Sequence, residues 1–348
     1  MNIYEIAKRA GVSIATVSRV VNGRPGVREA TREKVQAILD EAGYSPNAIA
    51  RSLATNSTRT IGILATDIRD SYYAAAIYRI ERHVSSLGYQ VMLCSTGNQL
   101  EDKKRYLRLL LDKKVDGILL IGSPMRDHGF SGEVRQAARQ VPVVLMNFSV
   151  SGENIYCVLC DDAAATRRMV KLCAGAGKRR IAYLYDMLTP SGKAKIEGYH
   201  KGMSEVGLEA ETYLLQVPSG LEGARVGMEI LLSLPQPPQV IMTSEDTLAV
   251  GVLKCMGQRG LKAPNDLWVA AYNNTTLTLC TTPELTTVEN YVEPIATMCA
   301  EKMIQALKGE RPDKFTWVMP RILLRGSTVL DQASLDAMEA REVEPRAD

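Results

Sequence analysis

From Gly11 to Asn22 the chain reads GVSIATVSRVVN, and its polar side chains form a coherent set. Ser13, Thr16 and Ser18 offer hydroxyls, Arg19 a guanidinium and Asn22 an amide. Hydroxyls and amides suit phosphate oxygens, and an arginine can pair bidentately with guanine, so the set suits a DNA surface. Val12, Val17, Val20 and Val21 recur between them at near-helical spacing, which gives a helix one apolar side. Val17, Val20 and Val21 are read as core. Gly11 stands where a tight turn joins this helix to the one before it. A short helix entered through a Gly turn, with small hydrogen-bonding side chains outward, is the pattern of a recognition helix in a helix-turn-helix.

Little else in the chain has the spacing of reactive chemistry. Cys157 and Cys160 form a C-x-x-C, but no second pair or His cluster accompanies it. They lie in an apolar, strand-like run, where residues three apart face opposite sides, so a metal or redox site is not expected. The Ser191-Gly192-Lys193 sequence lacks the upstream Gly of a phosphate-binding loop. There is no nucleophile elbow, and His83, His128 and His200 stand apart from any catalytic partner. The expectation is no enzyme and no cofactor. Seven Cys without a framework fit a reduced, cytoplasmic setting. The opening Met1-Asn2-Ile3 is no signal peptide, and no apolar run reaches about 18 residues, so neither export nor a membrane span is expected.

The elements that must position the opening stretch follow from periodicity. Residues 3–10 and 31–42 read as amphipathic helices flanking it, the second stopped at Gly43. The first 59 residues hold nine Lys/Arg against five carboxylates, whereas the remaining 289 hold 33 against 34. Positive charge confined to a small head on a neutral body is an electrostatic footprint for nucleic acid. Residues 47–54 allow one or two helical turns, too short to be stable alone in water. From Thr60 onward, apolar strands alternate with amphipathic helices, the pattern of a parallel sheet covered on both faces. The rhythm restarts after Asp161, which gives two open α/β units with a cleft between them. Residues 315–324 read as one closing strand. The tail from Val329 carries six carboxylates and two Arg and reads as mostly disordered or weakly helical.

In order, IYEIAKRAGVSIATVSRVVNG, TREKV and GYSPNAIARSLAT, then RTIGILATDIRDSYYAAAI, VDGILLIG, KRRIAYL, SEDTLAVGVL, PELTTV and LLRGST together resemble the LacI/GalR family of bacterial transcription regulators. The likeness spans residues 3 to about 328. It implies a small all-α helix-turn-helix head (1–45), a hinge helix and linker (46–59), and an α/β core (60–328) of two doubly wound parallel-sheet subdomains, like a periplasmic binding protein. The first subdomain takes about 60–160 plus 290–322 and the second 161–289 plus 323–328, before an acidic tail (329–348).

The same resemblance implies a homodimer on a near-palindromic operator, with Ser13, Thr16, Ser18, Arg19 and Asn22 at the DNA. Ile14 and Ala15 fall at the two positions that vary the sequence read; both are apolar here, so neither forms a bidentate hydrogen bond. Leu53 matches the hinge leucine that wedges into the minor groove, and Asn47, Ala50 and Arg51 match its groove and backbone contacts. The cleft is implied to hold a small effector through Asp67, Tyr72, Tyr73, Asn147, Lys195, Glu245, Asp246 and Asn273. Four of these depart from the family pattern: Lys195 replaces a sugar-clamping Arg, Glu245 an Asn, and Asn273 and Asn147 an Asp. A lysine is a point charge that cannot clamp two vicinal hydroxyls as arginine does. The altered set points to a charged or zwitterionic effector rather than a plain hexose, or to direct pairing of Lys195 with Glu245. Repression is the expected outcome, with activation and effector-independent or partner-controlled regulation left open. A solute-binding module without DNA binding does not fit the basic head.

Overall fold

A computed structural model describes residues 1–21, 25–43 and 57–343. The chain forms two compact units, Met1–Arg59 and Thr60–Asp348.

The first unit packs three helices: α1 (Ile3–Ala10), α2 (Ile14–Val21) and α3 (Glu29–Glu41). Asn2 caps α1 by accepting from the Tyr4 and Glu5 amides, while Glu5 accepts from the Asn2 amide, a reciprocal capping box. Gly11 ends α1 with φ 70°, a left-handed turn that glycine adopts without strain. Ile6, Ala7, Ala10, Val17, Val20, Val35, Ile38 and Leu39 make the core, with Val12 and Val21 at its edge. α2 therefore stands with one side fixed against α1 and α3, as its valine spacing predicts.

The second unit alternates strands and helices. β1 (Thr60–Ala65), α4 (Ser71–Ser86), β2 (Gln90–Ser95), α5 (Leu100–Asp112), β3 (Gly117–Ile121), α6 (His128–Ala138), β4 (Val143–Met146) and β5 (Ile155–Cys160) come first. α7 (Asp162–Gly175), β6 (Ile181–Tyr185), α8 (Pro190–Glu205), β7 (Thr212–Gln216), α9 (Gly220–Leu232), β8 (Val240–Thr243), α10 (Asp246–Gln258), β9 (Trp268–Tyr272) and β10 (Thr286–Glu289) follow. α11 (Val292–Leu307), β11 (Phe315–Val318), β12 (Arg321–Leu323) and α12 (Gln332–Val343) close the chain. The strands form two six-stranded sheets, β11-β5-β4-β3-β1-β2 and β12-β10-β9-β8-β6-β7. Pairing is parallel except between β10 and β12. Helices cover both faces of each sheet, so β3, β4 and β8 are buried along their whole length. That is why they read as continuous apolar runs.

Three details differ from the sequence reading. The single strand expected over 315–324 is broken at Pro320, whose ring nitrogen cannot donate to a ladder. β11 then pairs parallel with β5 in the first sheet, and β12 antiparallel with β10 in the second, so the chain crosses at 319–320. β10 was not anticipated, because Thr286 and Thr287 are fully buried polar residues in a short segment. The tail forms α12, and Leu335, 2% exposed, packs with Met338 against the second sheet's helices. Cys157 and Cys160 face opposite sides of β5, as expected. Among the described residues no helix is long and apolar enough to cross a membrane.

Candidate functional site

On the head, the candidate site is the outer face of α2. Ser13 and Thr16 hydrogen-bond through their hydroxyls at 2.9 Å, and Ser13 Oγ accepts the Thr16 amide at 3.1 Å. Ser13, Ile14, Ala15 and Arg19 are exposed and Thr16 and Ser18 half-buried. Ile14 is 43% exposed although large and apolar. No acidic residue lies in the first turn, so nothing there opposes an anion at the positive end of the helix dipole. Asn22, Asn47, Ala50, Arg51 and Leu53 lie outside the described residues.

The second candidate site is the cleft between the sheets of the Thr60–Asp348 unit, a cavity of ≈ 90 Å³. It sits beyond the carboxyl ends of the strands, where open α/β sheets bind ligands. Six of its polar groups come from the first residues past those ends. Asn147 follows β4, Asp186 follows β6, Ser244 and Glu245 follow β8, Asn273 follows β9 and Asn290 follows β10. Asn147 and Asn273 take φ of 64° and 107°, a region Asn tolerates better than most residues. Ser123, after β3, donates to Thr189 at the start of α8 at 3.1 Å, a bond between the two halves.

Six of the eight expected cleft residues line this cavity: Tyr72, Tyr73, Asn147, Lys195, Glu245 and Asn273. Asp67 does not. It is clamped by Arg69 at 2.7 Å, which holds its carboxyl down at about 2. Asp246 does not either. It is 2% exposed and accepts from the Thr275 amide at 2.6 Å and the Thr287 hydroxyl at 3.0 Å, tying α10 to β10. Burial nevertheless lifts its carboxyl to about 6, against those hydrogen bonds.

Of the two tyrosines, Tyr72 is buried and Tyr73 half-buried. Tyr72 lies in the core of the first sheet, and its hydroxyl accepts from Asn147 Nδ2 at 2.6 Å. Tyr73 meets Tyr72 edge-on and covers Gly122, where a Cβ would meet its ring at 2.6 Å.

Lys195 and Glu245 do not form an ion pair. Lys195, 6% exposed, donates to the Ser244 carbonyl at 2.9 Å and lies 3.6 Å from the Tyr272 ring centroid. Tyr272 in turn donates to Asp162 at 2.7 Å. The Glu245 carboxylate makes no hydrogen bond among the described residues. Burial, then Asp186 and Asp70, push it up to about 7, and Lys195 offsets only part of this.

Sequence reading missed Asp70, Ser123, Asp186, Thr189, Ser191 and Asn290 among the lining residues. For Asp186 and Asn290 the signal was position, the first residue after an apolar strand. A larger furrow of ≈ 840 Å³ runs between α7 and α12. Asp161 and Met319, just past β5 and β11, also line it, and Arg167 and Lys171 both pair with Glu205 there.

Comparison with known proteins places both units in known families. Residues 2–47 match the bacterial regulatory proteins of the lacI family, and residues 170–328 a periplasmic binding protein-like domain. An HTH-type transcriptional regulator of Lachnoclostridium phytofermentans is 36% identical over 334 residues, 94% of this chain and 99% of that protein. Catabolite control protein A of Priestia megaterium is 33% identical over 94% of this chain and 99% of its own length. The transcriptional repressor PurR of Proteus mirabilis is 32% identical over 93% and 96%. In fold, the chain superimposes on the lac repressor dimer bound to operator and an anti-inducer with a TM-score of 0.86, at 23% identity, covering 94% of this chain and 99% of that one. The chain belongs to the LacI family: it is a DNA-binding, repressor-like transcriptional regulator rather than an enzyme.

Proposed function

We propose that the protein is a homodimeric repressor that binds a near-palindromic operator in the bacterial cytoplasm and is controlled by a small metabolite held in the cleft. The carrying observation is α2, an apolar helix side locked into the head core with hydroxyls, Ile14, Ala15 and Arg19 outward. One such helix reads half a site, so two copies related by a two-fold axis read a palindrome. Exposed Leu221 on α9, and Leu277 and Leu279 in the turn after β9, supply apolar surface of the kind a dimer covers. Ser13, Thr16 and Ser18 are read as phosphate contacts and Arg19 as a base contact. Asn22 and the hinge residues Asn47, Ala50, Arg51 and Leu53 complete the DNA surface in this reading. Control follows if ligand and operator favour different settings of the cleft, each by a few kcal/mol.

Selection on random DNA with and without a metabolite extract, paired with sedimentation, tests this. The expected result is a dimer enriching a palindrome whose affinity changes with the extract. Sequence-blind binding that simply falls with salt would overturn the operator reading. A palindrome indifferent to every extract would replace effector control by effector-independent regulation.

A further inference from the structure

Three of the four charged side chains lining the cleft are acidic. Asp70 comes from the first subdomain, Asp186 and Glu245 from the second, and Lys195 is the counter-charge. Two of the carboxylates are already occupied. Asp186 accepts from the Met187 amide and the Ser219 and Ser244 hydroxyls. Asp70 caps α4 by accepting from the Tyr72 and Tyr73 amides. Lys195 is spent on the Ser244 carbonyl and the Tyr272 ring, beside Asp162. Glu245 faces the cavity with no hydrogen-bond partner among the described residues, next to buried Asp246. Closing the cleft thus sets Asp70 against Asp186 and Glu245, and like charges resist approach.

A second observation is independent of the charges. Asn290, 5% exposed, donates Nδ2 to Asn273 at 3.0 Å, and its Oδ1 is buried without a partner. Asn147 Oδ1 is buried and open in the same way. Both residues line the cavity. A buried amide oxygen without a donor is costly, and such groups in native folds mark a missing partner. What the cleft lacks is therefore hydrogen-bond donors and one positive charge. A bare metal ion supplies no donor, and among the described residues no three acidic, His or Cys side chains converge on one point.

We propose that the effector is an organic cation, a small molecule bearing a protonated primary amine that Glu245 receives between Asp70 and Asp186, with further donors satisfying Asn147 and Asn290. The inference rests on the reading of this cleft as the effector site. An ammonium group placed there cancels the repulsion between the halves, so binding and closure are one event. A plain hexose brings donors but no charge, and leaves Glu245 open.

The test uses the full-length protein near pH 8, where Glu245 is ionised. Ethanolamine and 3-aminopropanol, which stay protonated at this pH, are compared with their uncharged counterparts ethylene glycol and 1,3-propanediol, with glucose and with calcium chloride, by thermal shift and titration calorimetry. The expected result is saturable binding of the amines, binding at least roughly ten-fold weaker for the uncharged counterparts, and no response to calcium. Glu245→Gln is expected to fold, with an unliganded melting temperature at or above the parent's, and to lose amine affinity by at least roughly ten-fold; Asp186→Asn gives a second, smaller loss. Equal binding of amines and their counterparts, no amine binding, or full affinity in Glu245→Gln would overturn the inference. Operator affinity followed in the same samples separates the two ideas. Amine binding through Glu245 without an effect on DNA keeps the cation site and removes effector control. An uncharged metabolite that acts on DNA through this cleft keeps effector control and removes the cation site.

Discussion

Ser123 Oγ donates to Thr189 Oγ1 at 3.1 Å, and the two hydroxyls belong to opposite halves of the cleft. The bond exists only while the halves are together, so it contributes to closure and little to the stability of either half. A partly exposed neutral hydrogen bond is worth about 1 kcal/mol. Ser123→Ala should therefore weaken effector affinity roughly five-fold while leaving the urea midpoint of the unliganded protein nearly unchanged. Calorimetry and urea unfolding of the same preparation check this, and a large stability loss with intact affinity would contradict it.

Glu245 makes stability depend on pH with a definite sign. Burial, Asp186 and Asp70 raise its carboxyl from the ordinary carboxylate range to about 7. Between those limits the folded protein holds a proton that the unfolded chain has released. Its contribution to stability is therefore largest below the ordinary range, falls as pH rises toward 7, and levels off above it. The fall attributable to this half-buried group is of order 1–3 kcal/mol. Glu245→Gln should match the parent near pH 5 and exceed it near pH 8. Asp246, at about 6, and Asp70, also raised, add slopes of the same sign, so the variant's curve should flatten without becoming level. Denaturant unfolding across this range is the measurement.

Asp246 shows how a position matched by motif can still serve the fold. Its two oxygens hold the Thr275 amide and the Thr287 hydroxyl in a site that excludes water. Asp246→Ala leaves both donors buried and unpaired, at roughly 2–4 kcal/mol. Asp246→Asn keeps one acceptor and should cost less. In both variants the protein that remains folded should bind effector with nearly parental affinity, since Asp246 does not line the cavity.

Lys195 is the converse case, a residue at the cleft whose work is structural. Lys195→Met keeps the length of the stem but removes the bond to Ser244 and the ring contact with Tyr272. It also removes the one charge that offsets Glu245. A melting temperature lower by several degrees is expected, with partial recovery in the double variant Lys195→Met/Glu245→Gln. Non-additivity in that cycle measures the coupling across the cleft.

These cases indicate what the sequence could convey. The alternation of strands and helices was legible because strands buried on both faces must be apolar, as in Gly117–Ile121 and Val143–Met146. β10 escaped notice because Thr286 and Thr287 satisfy their hydroxyls inside the fold, with Thr328 and Asp246, so a buried strand reads as a polar loop. The break at Pro320 was readable locally, but the change of sheet was not, since pairing partners lie far away in sequence. Motif matching brought six residues to the cavity, yet said nothing of which hydrogen bonds they had already made. That is why Lys195 and Glu245, opposite in charge and in one cleft, suggested a pair that the structure does not form. The open carboxylate follows only once the Ser244 carbonyl and the Tyr272 ring are seen to hold the lysine.

On the head, Val17 and Ile14 separate folding from reading. Val17 is fully buried among Ile6, Ala10 and Val35, and Val17→Ala should cost the head roughly 2 kcal/mol. Hydrogen exchange of α1–α3 amides would show the loss directly. Ile14 is 43% exposed at the start of α2, so replacing it should leave that protection unchanged. An apolar Ile14 can touch a thymine methyl but cannot hydrogen-bond a base edge, whereas a glutamine can pair bidentately with adenine. Selection on random DNA with Ile14→Gln should therefore shift one position in each half-site toward adenine, by about 1–3 kcal/mol of discrimination. The remaining positions and the salt slope, which counts phosphate contacts, should not change. An unaltered selected site would remove Ile14 from the reading surface and leave discrimination to Arg19 and its neighbours.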